Sequence, residues 1–433
     1  MRQEKPSLES VGNDSIWGMR YNQGMELLAP AGNLEKLKTA VRFGADAVYC
    51  GVGSYSLRAH EASFTIAELA EGLKFAQDHN CRVYLALNIF AFDEDLSEMK
   101  DLAAQALELG VDAFIVSDPG VLAMLRTLDP RAKIHLSTQA NTTNSESVKF
   151  WQKQSVKRIV LARELSLGQI KRIKQNNPDM ELEVFVHGAM CISYSGRCLL
   201  SQFLNDRSAN RGLCTQPCRW EYQLRDLKRS EELTFHEDSR GSYILNSRDL
   251  CLIEHLPELV ASGVDSLKIE GRMKTAYYVA AVTRIYRQAL DSYYRSPEAY
   301  RFNPDWLTEL EKVSHRPYTT GFYLPEKKDD TEFTKDSTYI RGYDFVGTVD
   351  ERSPETNLIR VSARNYFASG DRLEILDPAA GEIIPVRIKK IIDSASSNEL
   401  KEAHNSYVVD LELETVLTEP ISAESIIRRK CDD

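Results

Sequence analysis

The chain has 433 residues, of which 42% are hydrophobic and 27% charged, a composition typical of a globular protein and not of a disordered or fibrous one. No stretch approaches the roughly 18 uninterrupted apolar residues of a membrane span, and residues 1–15 carry charges where a secretion signal needs an apolar segment, so we expect a cytoplasmic protein. The formal net charge of -10 argues against non-specific coating of nucleic acid, which requires a basic surface.

Eight short apolar runs alternate with segments of helical periodicity in the first 300 residues. Strand and helix at this rhythm require parallel pairing through right-handed crossovers, and eight such units close most economically into a (β/α)8, or TIM-like, barrel. An open doubly wound sheet is the alternative. The predicted strands are 25–30, 46–52, 82–89, 112–117, 133–138, 158–163, 182–188 and 265–271, and the predicted helices are 33–43, 65–79, 94–109, 120–127, 145–154, 166–175, 249–262 and 274–293.

Changes in the pattern predict further divisions of the chain. Residues 1–24 are polar and aperiodic, which is typical of a flexible tail. The barrel, 25–300, is interrupted after its seventh strand by an insertion, 189–248. Several prolines and the charged run EKKDD indicate a linker or arm over 301–340. Short alternating strands then predict a small all-β barrel domain over 341–433.

Four of the eight cysteines lie close together in the insertion, which in a reducing compartment indicates metal or redox chemistry. Four thiolates are a complete ligand set for a structural zinc ion or an iron–sulfur cluster. Zinc ribbons use two closely spaced pairs, and here only one pair is that close. The residues leave a [4Fe-4S] cluster, structural zinc and plain buried thiols open, and the ligand type together with the resemblance described below favours the cluster. Cys251 is either an alternative fourth ligand or a buried helix residue. The four are Cys191, Cys198, Cys214 and Cys218.

The insertion is also locally basic and aromatic. Between 191 and 219 four arginines stand against one acidic residue, Asp206. Arginine binds phosphate and aromatic rings stack on unpaired bases, so this composition suits single-stranded RNA. Charge compensation for an anionic cluster is the alternative. The candidate RNA-binding residues are Arg197, Arg219, Tyr194 and Trp220.

Polar residues gather at the carboxyl ends of the predicted strands, where barrel enzymes place their active sites. Arg58, Lys268 and Arg272 are candidate cations for a carboxylate or phosphate ligand. Glu270 lies between two of them, and strand alternation puts all three on one side. Its cationic neighbours would keep it ionised, so we take it as a candidate catalytic residue. His187 is either a general acid or base or a structural histidine. The same rim includes Asn33, Asn88, Asp118, Gln139, Arg163 and Glu164, of which Asn33 and Asp118 also suit helix caps.

These segments resemble proteins of peptidase family U32. The runs EVFVHGAMC (183–191) and YSGRCLLS (194–201) resemble the family's signature, 26–51 and 246–274 resemble its opening and closing segments, and the terminal β domain resembles a module of its tRNA-hydroxylating branch. An amino-terminal extension of about 24 residues and the extra Cys251 depart from the pattern.

The resemblance implies that the chain is an enzyme that forms 5-hydroxyuridine at wobble position 34 of tRNA. It further implies prephenate as co-substrate, the anticodon loop as partner, and a [4Fe-4S] cluster on Cys191, Cys198, Cys214 and Cys218. Prephenate is a dicarboxylate, which would give the cationic rim a purpose. The alternatives are a U32-type protease or collagenase-like hydrolase, hydroxylation of ribosomal RNA, and a non-catalytic RNA-binding protein. No zinc-protease or serine-hydrolase motif is present in the sequence.

Overall fold

The structure is a computed structural model that forms two compact units. One comprises Gly24–Val346 with the residues from Arg428 onward, and the other comprises Gly347–Ile427. None of the helices in the described ranges is long and apolar enough to cross a lipid bilayer. The residues described are 24–58, 63–191, 193–219, 237–238, 241–242, 248–324, 339–353, 358–414, 417 and 421–431.

Strands and helices alternate strictly through the first part of the larger unit. Nearly every strand residue is buried, as expected for parallel strands that are covered on both faces. Asn33 and Asp118 cap the helices that follow them, as the sequence indicates. The elements are β1 (Glu26–Pro30), α1 (Leu34–Arg42), β2 (Ala47–Cys50), α2 (Ile66–Asp78), β3 (Arg82–Leu87), α3 (Asp93–Leu109), β4 (Ala113–Val116), α4 (Pro119–Leu128), β5 (Ile134–Leu136), α5 (Ser145–Lys153), β6 (Arg158–Val160), α6 (Leu167–Asn176) and β7 (Glu181–Ala189).

The remainder of the larger unit contains the strand that closes the barrel. The elements are α7 (Leu200–Asn205), β8 (Glu237–Asp238), β9 (Gly241–Ser242), β10 (Asp249–Cys251), α8 (Leu256–Ser262), β11 (Ser266–Ile269), α9 (Ala276–Arg295), α10 (Pro304–Leu310) and β12 (Tyr318–Thr319). Strand β11 pairs in parallel with both β1 and β7. The strands β1–β7 and β11 therefore form a closed parallel barrel, and the prediction of a (β/α)8 fold is confirmed.

Two segments differ from their predicted structures. The predicted helix 249–262 opens with β10, which runs antiparallel to β7. A 3-10 turn over Ile253–His255 follows, and the α-helix begins at Leu256. Part of the expected linker 301–340 is folded, because it contains α10 and β12, and β12 pairs with β10. The buried guanidinium of Arg316 explains both differences: it donates to the Asp249 carboxylate at 2.6 and 2.9 Å and so joins the two segments.

Buried charges fill the amino-terminal end of the barrel. Arg158 forms ion pairs with Glu26 and Glu183, and Lys268 Nζ lies 2.8 Å from the Glu183 carboxylate. Burial alone would raise the pKa of Glu26, but the Arg158 guanidinium outweighs it and holds that pKa below its ordinary value. Each buried charge thus has an opposite partner, as a buried charge requires.

The smaller unit is an antiparallel β structure with alternating burial, which confirms the predicted all-β domain. Its seven-stranded sheet has the order β16-β21-β13-β14-β20-β17-β18, and β16 also pairs with β17, so the sheet closes into a small barrel. The strands are β13 (Tyr343–Ser353), β14 (Leu358–Ala363), β15 (Phe367–Ala368), β16 (Arg372–Leu376), β17 (Ile384–Asp393), β18 (Glu399–Leu400), β19 (Glu402–Ala403), β20 (Val408–Leu413) and β21 (Ile426–Lys430).

Candidate functional site

The segment that carries the four clustered cysteines is fastened to the carboxyl-terminal mouth of the barrel. The backbone N–H and hydroxyl of Ser195 donate to the Glu164 carboxylate at 2.6 and 2.7 Å. The Arg211 guanidinium donates to both oxygens of Asp95, at 2.6 and 2.8 Å. Since Glu164 follows β6 and Asp95 lies in the first turn of α3, two separate strand–helix units position this segment.

Cys191, Cys198, Cys214 and Cys218 all border one cavity at the mouth, which we call the inner chamber. The side-chain amide of Asn210 holds the backbone of Cys198 through two hydrogen bonds, at 3.1 and 3.2 Å. Backbone N–H groups donate to two of the sulfurs, from Leu200 to Cys198 and from Gln216 to Cys214, each at 3.4 Å. Hydrogen bonds to cysteine sulfurs are a common feature of sites in which cysteines hold a metal ion or cluster.

The spacing of these thiols is informative about the group they could hold. Among the described residues, no three thiol, imidazole or carboxylate groups are close enough together to hold one metal ion. Four sulfurs around a single zinc ion would lie about 3.8 Å apart, because each zinc–sulfur bond is about 2.3 Å long. A four-iron cluster takes one thiolate at each of four separate irons and so fits a wider set of cysteines around a cavity.

A second cavity, the outer chamber, adjoins the inner chamber and has a volume of about 410 Å³. Four cationic side chains border it, and Glu270 is the single carboxylate among its described lining residues. The inner chamber is smaller, about 110 Å³, and reaches into the barrel towards Tyr49, Gln139, Lys268 and Arg272. Both chambers share Cys191, Cys214, Cys218, Arg58, Arg163 and Glu270. The four cations of the outer chamber are Arg58, Arg163, Arg207 and Lys274.

Glu270 is an ionised carboxylate between the two chambers. Burial would raise its pKa, but the surrounding cations, with Arg58 and Arg272 the strongest, keep that pKa below its usual value. The Tyr49 hydroxyl donates to the carboxylate at 3.3 Å, and Arg58 Nε lies 3.9 Å from it. Glu270 is thus held as a base in an electropositive site.

The three predicted cations have different surroundings. Arg58 borders both chambers, whereas Arg272 and Lys268 border only the inner one. Arg272 donates to the Ser56 hydroxyl at 2.9 Å. Lys268 is almost fully buried, with its ammonium group paired to Glu183 and 4.4 Å from the centre of the Tyr49 ring. Much of the Lys268 charge is therefore neutralised inside the barrel by Glu183.

We expect Lys268→Met to destabilise the larger unit by about 3 kcal/mol, because it leaves the buried Glu183 carboxylate without one of its two cations. Denaturant unfolding followed by tryptophan fluorescence measures the change. The matched control is Lys38→Met, whose partner Glu71 is exposed and whose loss should cost less than about 1 kcal/mol. Equal stabilities for the two variants would contradict this assignment.

His187 lies outside both chambers, contrary to the position that we predicted for it. The register of β7 against β11 shifts at this point, so that His187 pairs with Ile269 and not with an inward-facing residue. Its ring packs against Tyr278, Tyr286 and Tyr318, and burial lowers its pKa to about 3. Because His187 stays neutral and faces away from the mouth, we interpret it as a packing residue.

Cys251 is also apart from the other cysteines. It lies in β10, directly opposite His187, and borders a different cavity beside His315 and Tyr318. Burial raises the pKa of its thiol to about 12. The structure thus places it as a buried residue, in a strand and not in the helix we expected.

The predicted RNA-binding residues are described only in part. The Tyr194 ring is half exposed beside the cysteines. Arg197 is exposed, and its Nε donates to the Gln139 carbonyl at 2.7 Å. Arg219 ends the 3-10 helix Pro217–Arg219, and Trp220 lies outside the described residues.

Sequence reasoning did not select several residues of the chambers as site residues. Arg163 and Gln139 were on the predicted rim, since both follow strands, but nothing set them apart from the other polar residues there. Arg207 was counted only as part of the basic insertion. Lys274 follows β11 by five residues, beyond the strand end, and a sequence pattern offers no signal for it.

Comparison with known proteins covers both units. The profile of "Peptidase family U32" matches residues 32–332, and that of "Peptidase family U32 C-terminal domain" matches residues 341–428. Three relatives illustrate the similarity. The tRNA hydroxylation protein P1 of Bacillus subtilis (strain 168) is 39% identical over 390 residues, covering 90% of this chain and 92% of the relative.

The other two come from Escherichia coli (strain K12). The tRNA hydroxylation protein P is 38% identical over 400 residues, which cover 82% of this chain and 86% of the relative. The 23S rRNA 5-hydroxycytidine C2501 synthase is 33% identical over 394 residues, which cover 89% of this chain but 57% of that relative.

Proposed function

Because this chain belongs to peptidase family U32 and is 38–39% identical to two tRNA hydroxylation proteins, we propose that it is a tRNA-hydroxylating enzyme. The reaction we propose is the formation of 5-hydroxyuridine at wobble position 34, with prephenate as co-substrate. One observation supports this proposal above all others: cysteines suited to an iron–sulfur cluster and a set of cationic side chains border the same two adjoining chambers.

In this proposal Cys191, Cys198, Cys214 and Cys218 hold a [4Fe-4S] cluster, and Cys251 is not a ligand. The support is that the four cysteines border one chamber and that backbone N–H groups donate to two of their sulfurs. When bound, such a cluster supplies one-electron redox chemistry. A structural zinc ion is the alternative occupant, and it would require the four thiols to move closer together.

The outer chamber suits prephenate by charge and by size. Four cations against one carboxylate give its wall an excess of positive charge, which favours a dianion. Its volume of about 410 Å³ lies within the range of pockets that hold small molecules. Arg58 and Arg163 are shared with the inner chamber and would bind one carboxylate. Arg207 would bind the other together with Lys274, whose Nζ also donates to the Ser314 carbonyl at 2.9 Å. Arg272 and Lys268 border the inner chamber and would add positive charge from that side.

An anticodon loop suits the mouth as the second substrate. Its wobble base is already unpaired, so presenting that base to the chambers requires little unstacking energy. Tyr194 is exposed enough to stack on a base, and Arg197 lies beside it for a phosphate. Arg219 and Trp220 belong to the same proposed surface on the evidence of the sequence alone. A tRNA substrate also supports our expectation of a cytoplasmic protein.

Glu270 is our candidate catalytic base. Hydroxylation at C5 of uracil replaces a C–H bond by a C–O bond, which is a two-electron oxidation. An oxygen-atom donor must supply the oxygen and take up the electron pair, and the hydrogen at C5 leaves the ring as a proton. The Glu270 carboxylate is kept ionised by its cationic neighbours and borders both chambers, so it is placed to accept that proton. We do not assign His187 a part in the reaction, because it faces away from the chambers.

The alternatives have less support. A protease would need an activated nucleophile, yet no described histidine hydrogen-bonds a serine, threonine or cysteine side chain. Hydroxylation of ribosomal RNA is favoured by one relative, of whose length the matched region covers only 57%. A non-catalytic RNA-binding protein would leave the ionised Glu270 without a purpose.

The proposal is tested in cells by deleting the gene for this chain and digesting bulk tRNA to nucleosides for mass spectrometry. We expect 5-hydroxyuridine and nucleosides derived from it to fall on deletion and to return with a plasmid copy. A plasmid encoding Glu71→Gln, an exposed residue of α2, is the control and should restore them fully. Unchanged tRNA nucleosides together with a loss of hydroxycytidine from ribosomal RNA would favour the ribosomal alternative.

A further inference from the structure

One wall residue of the inner chamber has polar atoms that the protein leaves unpaired. Gln139 is 0% exposed, and neither its amide nitrogen nor its amide oxygen has a hydrogen-bond partner among the described residues. Buried amides are nearly always paired, so a doubly unpaired one in a cavity wall requires an explanation. A glutamine amide presents one acceptor and two donors, all of which are unused here.

The neighbouring polar groups of the same wall do have partners. Asn88 Nδ2 donates to the Ser137 hydroxyl at 3.3 Å, and its Oδ1 accepts from the Leu57 N–H at 3.4 Å. The Thr138 hydroxyl donates to the Leu161 carbonyl at 3.0 Å. Asn141, Thr142 and His187, near the same end of the barrel, also have unpaired polar atoms, but none of them borders the inner chamber. Among the described residues that do border it, Gln139 is the one whose side-chain amide is unpaired at both ends.

The backbone at Gln139 is fixed even though its side chain is not. Residues Thr138–Ala140 form a 3-10 turn at the carboxyl end of β5, and the Gln139 carbonyl accepts from Arg197 Nε at 2.7 Å. The cysteine-bearing segment thus fastens this residue beside the chamber. A fixed backbone that carries an unpaired amide is the arrangement that a preorganised recognition residue requires.

We propose that Gln139 is a positioning residue that hydrogen-bonds the edge of the pyrimidine base entering the inner chamber. This inference rests on the proposed function. The N3–H and O4 groups of uracil form an adjacent donor and acceptor, which match the oxygen and nitrogen of one amide in a bidentate pair. Tyr49 and Phe185 belong to barrel strands, whereas the four cysteines belong to the segment that follows β7. The end of the chamber within the barrel therefore suits a flat ring, while the cysteines border the end at the mouth.

Charge distinguishes the base from the dicarboxylate as the partner of this amide. A carboxylate accepts hydrogen bonds and donates none, so it would leave the Gln139 oxygen unpaired and would repel it. The cations near the chambers are better donors for carboxylates. A pyrimidine edge pairs with both the oxygen and the nitrogen of the amide. The amide can rotate to match either uracil or cytosine. Gln139 therefore sets the affinity for the base but does not discriminate between uracil and cytosine.

The test compares binding of two anticodon stem-loop RNAs that carry either uridine or an abasic site at position 34. Fluorescence anisotropy is measured with the wild type, with Gln139→Met, and with Gln139→Glu, which keeps the shape but loses the donor. We expect both variants to bind the uridine RNA about tenfold more weakly than the wild type does. All three proteins should bind the abasic RNA within about twofold of one another, because the lost contact is to the base.

The thermal stability of the free protein distinguishes a recognition role of Gln139 from a structural one. Replacing an unpaired buried amide by an apolar side chain of similar shape is neutral or stabilising. We therefore expect the Tm of free Gln139→Met to equal or exceed that of the wild type. Gln105→Met, on the exposed face of α3, is the control and should change neither RNA affinity nor Tm.

Three results would overturn the inference. They are wild-type affinity of Gln139→Met for the uridine RNA, an equal loss on both RNAs, and a rise in the KM for prephenate without a change for tRNA. Hydroxylation of tRNA by the wild type tests the proposed function separately. An active wild type with an unaffected Gln139→Met would overturn the inference alone, whereas a wild type that neither binds nor hydroxylates tRNA would overturn both.

Discussion

Replacement of Cys198 by alanine is expected to remove the absorbance at about 400 nm from the purified protein and to abolish tRNA hydroxylation at the same time. The physical reason is that Cys198 borders the inner chamber with the three other cysteines and accepts an N–H hydrogen bond at its sulfur. If the four thiolates hold a cluster, removal of one leaves an iron without its protein ligand, and the cluster is then lost or degraded. Iron per protein, measured chemically, and the absorbance spectrum report the result.

The matched control is Cys251→Ala. This residue lies in β10 and borders a separate cavity, so its replacement should leave the iron content and the spectrum unchanged. Retention of the full absorbance by Cys198→Ala would remove Cys198 from the ligand set. Loss of the absorbance in Cys251→Ala instead would return that cysteine to the set as the fourth ligand.

The second large effect is expected for Glu270→Gln. The substitution preserves the shape of the side chain but removes the negative charge and the ability to accept a proton. If the carboxylate is the base, hydroxylation should fall by about 100- to 10,000-fold. The variant should still bind tRNA, because the amide can accept the hydrogen bond that the Tyr49 hydroxyl donates at 3.3 Å. Single-turnover hydroxylation and anisotropy binding separate the two effects.

Two controls limit the interpretation of this variant. Glu71→Gln changes an exposed carboxylate on α2 and should retain wild-type activity. The iron content of Glu270→Gln must match that of the wild type, so that a lower rate cannot be attributed to loss of the cluster. A Glu270→Gln protein that is fully loaded and retains more than about half of its activity would exclude Glu270 as the base.

The barrel could be predicted from the sequence because its strands are buried on both faces and so appear as continuous apolar runs. The position of the cysteine segment was also predictable, since a segment that leaves β7 at its carboxyl end must lie near the mouth. The folded stretch around α10 and β12 was not. Its packing depends on the buried pair of Asp249 and Arg316, which are 67 residues apart, and no local pattern shows such a pair.

The site residues show the same limit. Strand alternation correctly put Lys268, Glu270 and Arg272 on the inner side, but it could not show that Lys268 is paired with Glu183. The position of His187 depends on a register shift between β7 and β11, and that shift is a property of the strand pair. Gln139 is distinguished only by what it does not contact, which requires coordinates.

The most direct test of the proposed activity uses purified protein loaded with the proposed cluster, tRNA that lacks wobble modification, and prephenate. The tRNA is cleaved into fragments after incubation, and the anticodon fragment is analysed by mass spectrometry. We expect a gain of one oxygen atom at uridine 34 that requires prephenate and is absent with Cys198→Ala. An unmodified anticodon fragment from a fully loaded wild-type protein would contradict the account.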